Sequence, residues 1–207
     1  MVKADWCESL QAQNLRPFSL LLTVYDPSSI VSRLLAYVTV LPPLSFVFLI
    51  GVLLASRRRG RVLQLIVTLL VSFVLNETVK NVIQQPRPPR SWMHGHGYPS
   101  SHAASIATSF AFVECLFHAG VWSVPRFTRA LWRVGMTLLV VAVVTARVSS
   151  HAHSLEQCVA GVVVGAVYAI ASYALVPNSV VDAADRATQR LADFLLGART
   201  DDSSKRD

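Results

Sequence analysis

The chain has 207 residues, of which 53% are hydrophobic and 15% charged, and its formal net charge is +7. Its mean hydropathy is +0.46, and the apolar residues gather in blocks long enough to cross a bilayer. This patterning sets aside a soluble nucleic-acid binder as the reason for the basic charge. The arginines lie between apolar blocks, where they set membrane topology.

Residues 1–29 read as a polar N-terminal tail with a short apolar block, Phe18 to Tyr25, that is too brief to cross and is expected at the interface. Met1 to Arg16 lacks the apolar core of a cleavable signal peptide, so the first span is expected to act as an uncleaved anchor. Ser28 or Ser29 is the expected N-cap of that span, which runs from Ile30 to Ala55 through Pro42-Pro43. A basic turn at 56–61 follows, then a second span from Val62 to about Val79. A Pro/Gly/His-rich loop over 85–98 leads to a third span that starts at Ser100 or Ser101 and ends near His118. The fourth apolar block, Val134 to Thr145, is short unless it starts at Ala130 and runs through Arg147. The fifth, Leu155 to Val176, is rich in Gly, Ala and Val, which suits close helix packing. Pro177 ends it, and residues 178–207 read as a polar cytosolic tail.

The expected fold is therefore an all-α polytopic membrane bundle of about five spans, with its membrane domain over residues 30–177. An odd number of spans puts 56–61, 119–133 and the C-terminal tail on one side. Their arginines make that side cytosolic. The loop at 85–98 and the stretch 147–154 then share the opposite face. The three cysteines make no disulfide framework. Cys115 and Cys158 fall in apolar segments as small buried residues, and Cys7 lies in the polar tail.

The loops of that opposite face carry the chemistry. Lys80 and Arg87 are seven residues apart, so a helix continuing to Arg87 would place both cations on one face before Pro86 and Pro88 stop it. Arg147 closes an apolar block, a costly position that calls for a partner. Ser100 and Ser101 open the third span, where hydroxyls and amides at a helix N-terminus form an anion site. His102 and His153 remain as acid and nucleophile candidates, because imidazole serves either role near neutral pH. Taken singly each has a plainer reading: snorkelling cations, an ordinary helix cap, interfacial histidines.

Jointly, Lys80–Pro88 (KxxxxxxRP), Pro99–His102 (PSxH) and Arg147–His153 (RxxxxxH) occur in the order of a three-part signature. This resembles the type 2 phosphatidic acid phosphatase superfamily of membrane phosphatases, with motifs covering residues 80–157. The resemblance implies that Lys80, Arg87 and Arg147 bind phosphate, with Ser100 and Ser101 at the small phosphate-binding positions. It also implies that His102 protonates the leaving group and His153 is the nucleophile. Two departures stand out. The usual PSGH is PSSH here, and the aspartate expected four residues after the nucleophile is Gln157. Gln157 can orient the imidazole without supplying charge, or Glu156 can substitute.

Gln157, the run Lys80 to Pro88 and Glu77 look like the dolichyl diphosphate phosphatase branch of that superfamily. That branch implies hydrolysis of dolichyl diphosphate to dolichyl phosphate and inorganic phosphate at the lumenal face of the endoplasmic reticulum, recycling the carrier of N-glycosylation. The partners it implies are a polyprenyl diphosphate and membrane lipid. Other readings compete. Another lipid phosphate, such as phosphatidate, suits the same motifs, and a non-catalytic lipid-binding relative suits the missing aspartate. A metal site at His94-x-His96 or His151-x-His153 is disfavoured by three nearby cations and the absence of a carboxylate cluster. No metal and no cofactor is expected.

Overall fold

A computed structural model describes residues 16–18, 23–55 and 59–195. Cys7 with the polar segment before Arg16, residues 19–22, residues 56–58 of the basic turn and the last twelve residues (196–207) lie outside the described residues. Those described form seven helices and one strand pair, β1 (Arg16–Phe18) antiparallel to β2 (Thr23–Tyr25). The helices are α1 (Ile30–Val38), α2 (Leu41–Ala55), α3 (Arg59–Ile83), α4 (Ser101–His118), α5 (Arg126–Ser149), α6 (Leu155–Leu175) and α7 (Asn178–Leu195). The all-α membrane bundle expected from the sequence is the fold observed.

The segment Ile30 to Ala55 is two helices rather than one span. Pro42 and Pro43 have no N–H to donate to the preceding turn, so α1 stops at Val38 and α2 restarts at Leu41. There the prolines occupy the first turn, where amides have no helical acceptor anyway. Ser29 is the N-cap of α1 and accepts from the Ser32 amide. The short block over 18–25 contributes strand β2, whose Val24 packs on Trp92 and Met93 of the loop between α3 and α4.

Three helices are long and apolar enough to cross a membrane by length and composition: α3, α5 and α6, with 25, 24 and 21 residues. The short fourth block belongs to α5, which is continuous from Arg126. At 15 residues α2 is only about 22 Å long, and α4 is the more buried, more polar helix at the centre. The outward faces of α5 and α6 expose Leu131, Val134, Leu138 and Val141, and Val159, Val163, Val167 and Ile170. Their three- and four-residue spacing makes an apolar stripe on each, suited to hydrocarbon. Leu65, Leu69, Phe112, Leu116 and Ala169 form the core between α3, α4 and α6.

The α4–α6 contact sets the geometry of the site. A Cβ at Gly161 would meet the Ser100 carbonyl at 2.5 Å, and one at Gly165 would meet the Ala104 carbonyl. Backbone therefore lies on backbone, and Thr108 Oγ1 donates across to the Gly165 carbonyl at 3.0 Å. This packing draws the start of α6 against the start of α4. Residues 178–195, read as tail, form α7, which folds back on α3. Arg61 donates to Asn178, the Gly60 amide to Asp185, and Gly60 leaves room for the Val181 carbonyl.

Candidate active site

Helix α3 ends at Ile83 because Gln84 takes φ 54°, the left-handed region that closes a helix, and its amide donates to the Lys80 carbonyl at 2.9 Å. Arg87 is therefore not on a helical face with Lys80, contrary to the seven-residue reading. It lies in an extended stretch where Pro86 bridges His96 and the Gly97 amide donates to the Gln85 carbonyl at 2.9 Å. Buried Trp92 pins this loop to the end of α5, donating Nε1–H to the Ser150 carbonyl at 3.1 Å. Lys80 and Arg87 meet at the site through this loop, not through helix periodicity.

Lys80 Nζ donates to Ser101 Oγ at 2.8 Å and to Glu77 Oε1 at 2.5 Å. Arg87 Nη1 donates to the Ala152 carbonyl at 2.7 Å and stands 3.2 Å from His153 Nε2. Burial lowers the pKa of Arg87, with the Glu77 charge opposing it. An arginine stays cationic through such a shift. Arg147 is 1% exposed, and its Nη2 points to Met93 Sδ at 3.3 Å. Arg147 Nε and Nη1 and Arg87 Nε are buried without a protein acceptor. Orphaned guanidinium donors are expensive in a protein interior. Both guanidinium groups meet Met93 Sδ, and donors left over on two neighbouring arginines suit a multivalent oxyanion such as phosphate.

His153 sits in the turn between α5 and α6, its amide donating to the Arg147 carbonyl at 3.1 Å. Its Nδ1 lies 2.9 Å from the Gly97 carbonyl oxygen. A carbonyl only accepts, so Nδ1 carries the proton and Nε2 carries the lone pair. That lone pair faces the Arg87 guanidinium. An imidazole in this tautomer can act as a nucleophile through Nε2 once the Arg87 hydrogen bond is released.

Gln157 is 1% exposed and holds the motifs together. Its Oε1 is 3.3 Å from His153 Nδ1 and accepts the Ser154 amide at 3.2 Å, closing a capping box on α6. Its Nε2 donates to the Pro86 carbonyl at 2.8 Å and to Gln85 Oε1 at 3.1 Å. Its backbone carbonyl accepts the Ser100 amide at 2.9 Å. A carboxylate has no such N–H, so glutamine performs a tethering task that an aspartate cannot. Glu156 is exposed instead. A Cβ at Gly97 would collide with the Gln157 side-chain amide, so a larger residue there would have to push this tether aside.

Ser100 is fully buried as the N-cap of α4, but its amide is taken by Gln157. The amides left over for an anion at this helix start are therefore those that follow it. His102 lies in the first turn of α4, within the fields of Arg147, Lys80 and Arg87. Gly97, Trp92, Met93 and Gln85 escaped the sequence reading. Each acts through a loop contact that has no periodicity or spacing to reveal it.

Burial, then Arg147 and Arg87, push the His153 pKa down to about 2, while the Gly97 hydrogen bond opposes and Lys80 adds to the fall. The unfolded chain, at about 6.5, binds a proton that the folded site refuses. Stability is then full above about 6.5 and declines as pH falls toward 2. This residue contributes up to about 1.4 kcal/mol per pH unit. Unfolding midpoints measured from pH 7 to 4 should fall more steeply in the wild type than in His153→Asn, and parallel slopes would refute the coupling. A second expectation concerns the tether. Gln157→Glu, isosteric but with oxygen in place of Nε2, should destabilise by about 1–3 kcal/mol and lower turnover. A variant as stable and as active as the parent would show that donation from this position is dispensable.

A model of the PAP2 superfamily matches residues 61–180, more than half of the chain and all three motifs. The chain belongs to the PAP2 superfamily. Dolichyldiphosphatase of Saccharomyces cerevisiae is 26% identical over 161 residues, covering 74% of this chain and 67% of the yeast protein. Dolichyldiphosphatase 1 of Rhinolophus ferrumequinum is 30% identical over 77% of this chain and 71% of its own length. The chloroplastic lipid phosphate phosphatase epsilon 2 of Arabidopsis thaliana is 31% identical over 72% of this chain, which spans about half (52%) of that protein. The fold matches a crystal structure of a transmembrane PAP2-type phosphatidylglycerolphosphate phosphatase from Bacillus subtilis. Its TM-score is 0.58, with 18% identity and coverage of 84% of this chain and 85% of the other. The protein is thus a multi-pass membrane phosphatase of the PAP2 type, acting on lipid phosphates.

Proposed function

We propose that this PAP2 phosphatase hydrolyses dolichyl diphosphate to dolichyl phosphate and inorganic phosphate, without a metal, at the lumenal face of the endoplasmic reticulum membrane. The observation that carries the mechanism is the His153 tautomer: Nδ1–H held by the Gly97 carbonyl, and Nε2 unprotonated, accepting from Arg87 Nη1 until substrate phosphate takes that donor. Arg87, Arg147, Lys80, Ser100 and Ser101 hold the terminal phosphate and strengthen their grip as charge develops in the transition state. His153 Nε2 attacks phosphorus in line, and the bond to the bridging oxygen breaks. His102 gives its proton to that oxygen, releasing the lipid monophosphate. Water, losing its proton to His102, then attacks the phosphohistidine. Inorganic phosphate leaves and His153 regains its lone pair.

The two dolichyldiphosphatases among its relatives support the substrate, since each aligns over more than 70% of this chain. Helix polarity supports the side. The site lies at the ends of α3 and α5 and the starts of α4 and α6, while Arg59, Arg61, Arg126, Arg129 and Arg133 gather at the other end of α3 and α5. The 31% identity to a plant lipid phosphate phosphatase favours a second reading, a lipid monophosphate substrate at the same site.

Phosphate release in EDTA from dolichyl diphosphate, dolichyl phosphate and phosphatidate, assayed side by side on purified protein, separates them. The expected result is release from the diphosphate alone. Preference for phosphatidate would overturn the substrate and leave the chemistry, and activity abolished by EDTA would overturn metal independence.

A further inference from the structure

Two ion pairs occur among the described residues, and one of them, Glu77 with Lys80, lies inside the cationic site. Glu77 Oε1 accepts from Lys80 Nζ at 2.5 Å and from Ser101 Oγ at 3.2 Å. A carboxylate oxygen thus sits on two donors that the proposed function gives to a phosphoryl oxygen. The two anions have the same acceptor character and the same sign, so they compete for these donors.

Exposure decides which partner can move. The Lys80 side chain is 12% exposed and is held in place by Ser101. The Glu77 side chain is 45% exposed, so water can solvate it once it is displaced, and an ion pair this open contributes little. Its place three residues before Lys80 on α3 keeps it one turn away, at the high effective concentration of a tethered ligand. Its field also reaches Arg87. Glu77 is therefore positioned to be displaced and to return.

We propose that the Glu77 carboxylate is an intramolecular competitor for the phosphate donors: it holds Lys80 and Ser101 between turnovers, yields them to the phosphoryl group, and reclaims them as inorganic phosphate leaves. This rests on the assignment of Lys80 and Ser101 to phosphate under the proposed function. It answers a difficulty of that function, because three clustered cations that stabilise a transition state also retain the product.

The test uses the full chain in detergent, with inorganic phosphate as inhibitor of lipid-product formation and as ligand in thermal unfolding. Glu77→Gln keeps the acceptor oxygen and removes the charge. It should tighten phosphate inhibition about two- to fivefold and enlarge the rise in unfolding midpoint that phosphate produces. Glu77→Ala should move both readouts in the same direction. Unchanged or weaker phosphate binding in both variants overturns the proposal and leaves Glu77 as a positioning residue for Lys80. Lys80→Met provides the separate check. It should weaken phosphate inhibition, and unaltered inhibition in that variant would remove the phosphate assignment itself.

Discussion

His153→Ala is expected to reduce phosphate release to background, a loss of about 10⁴-fold or more in kcat. The size follows from what the residue does. In the proposed mechanism its Nε2 lone pair forms the covalent bond, and a variant without it retains only the electrostatic environment of the arginines. The Gly97 carbonyl and Gln157 hold the ring on its Nδ1 side, so the fold keeps its tether through Gln157 when the imidazole is removed. Rapid acid-free quenching with labelled diphosphate should trap a base-stable, acid-labile phosphoryl-enzyme in the wild type and none in the variant. His102→Ala separates the two histidines. It should slow release of the lipid monophosphate while leaving attack possible on a substrate whose leaving group needs no proton, such as an activated aryl phosphate. Near-normal turnover by His153→Ala on the natural substrate would end the covalent scheme.

Arg147 gives the second large effect, with opposite signs in activity and stability. Two of its guanidinium nitrogens are buried without an acceptor, and the residue is 1% exposed. A buried charge with unsatisfied donors opposes folding, and under the proposed function Arg147 is kept for phosphate. Arg147→Met should cost about 10²–10³ in kcat, the scale of losing an oxyanion donor, while the unfolding midpoint stays level or rises. Arg147→Lys should recover little activity, because an ammonium offers a point charge where the site presents a planar fork. Adding inorganic phosphate sharpens the contrast: it should stabilise the wild type by filling those donors and stabilise Arg147→Met much less. A variant that loses activity and stability together would instead make Arg147 a structural residue.

Much of the site was legible because its residues sit where the chain changes phase. Lys80, Ser100, Arg147 and His153 each fall within a turn of the point where an apolar block gives way to a polar loop. Such boundaries are visible in hydropathy alone. The N-caps at Ser29 and Ser100 and the stop at Pro177 follow from local chemistry in the same way. Glycine and alanine density in Leu155 to Val176 foretold close packing, and Gly161 and Gly165 carry it out.

Other features depend on contacts between segments remote in sequence. Helical periodicity put Arg87 beside Lys80 on one face. Gln84 ends that helix, and a loop pinned by Trp92 brings Arg87 back to His153. The proline pair permitted a single kinked span, and the chain breaks there into α1 and α2. Gln157 looked like a weakened aspartate until its Nε2 was found on the Pro86 carbonyl. By itself the sequence determined the membrane class, the order of the helices and the cations and imidazoles available, because hydropathy and side-chain chemistry are local properties. Only the tertiary structure decided which imidazole nitrogen is unprotonated, which guanidinium donors lack acceptors and which acid stands on Lys80. Each of those depends on a backbone carbonyl or side chain delivered from elsewhere in the chain by helix packing.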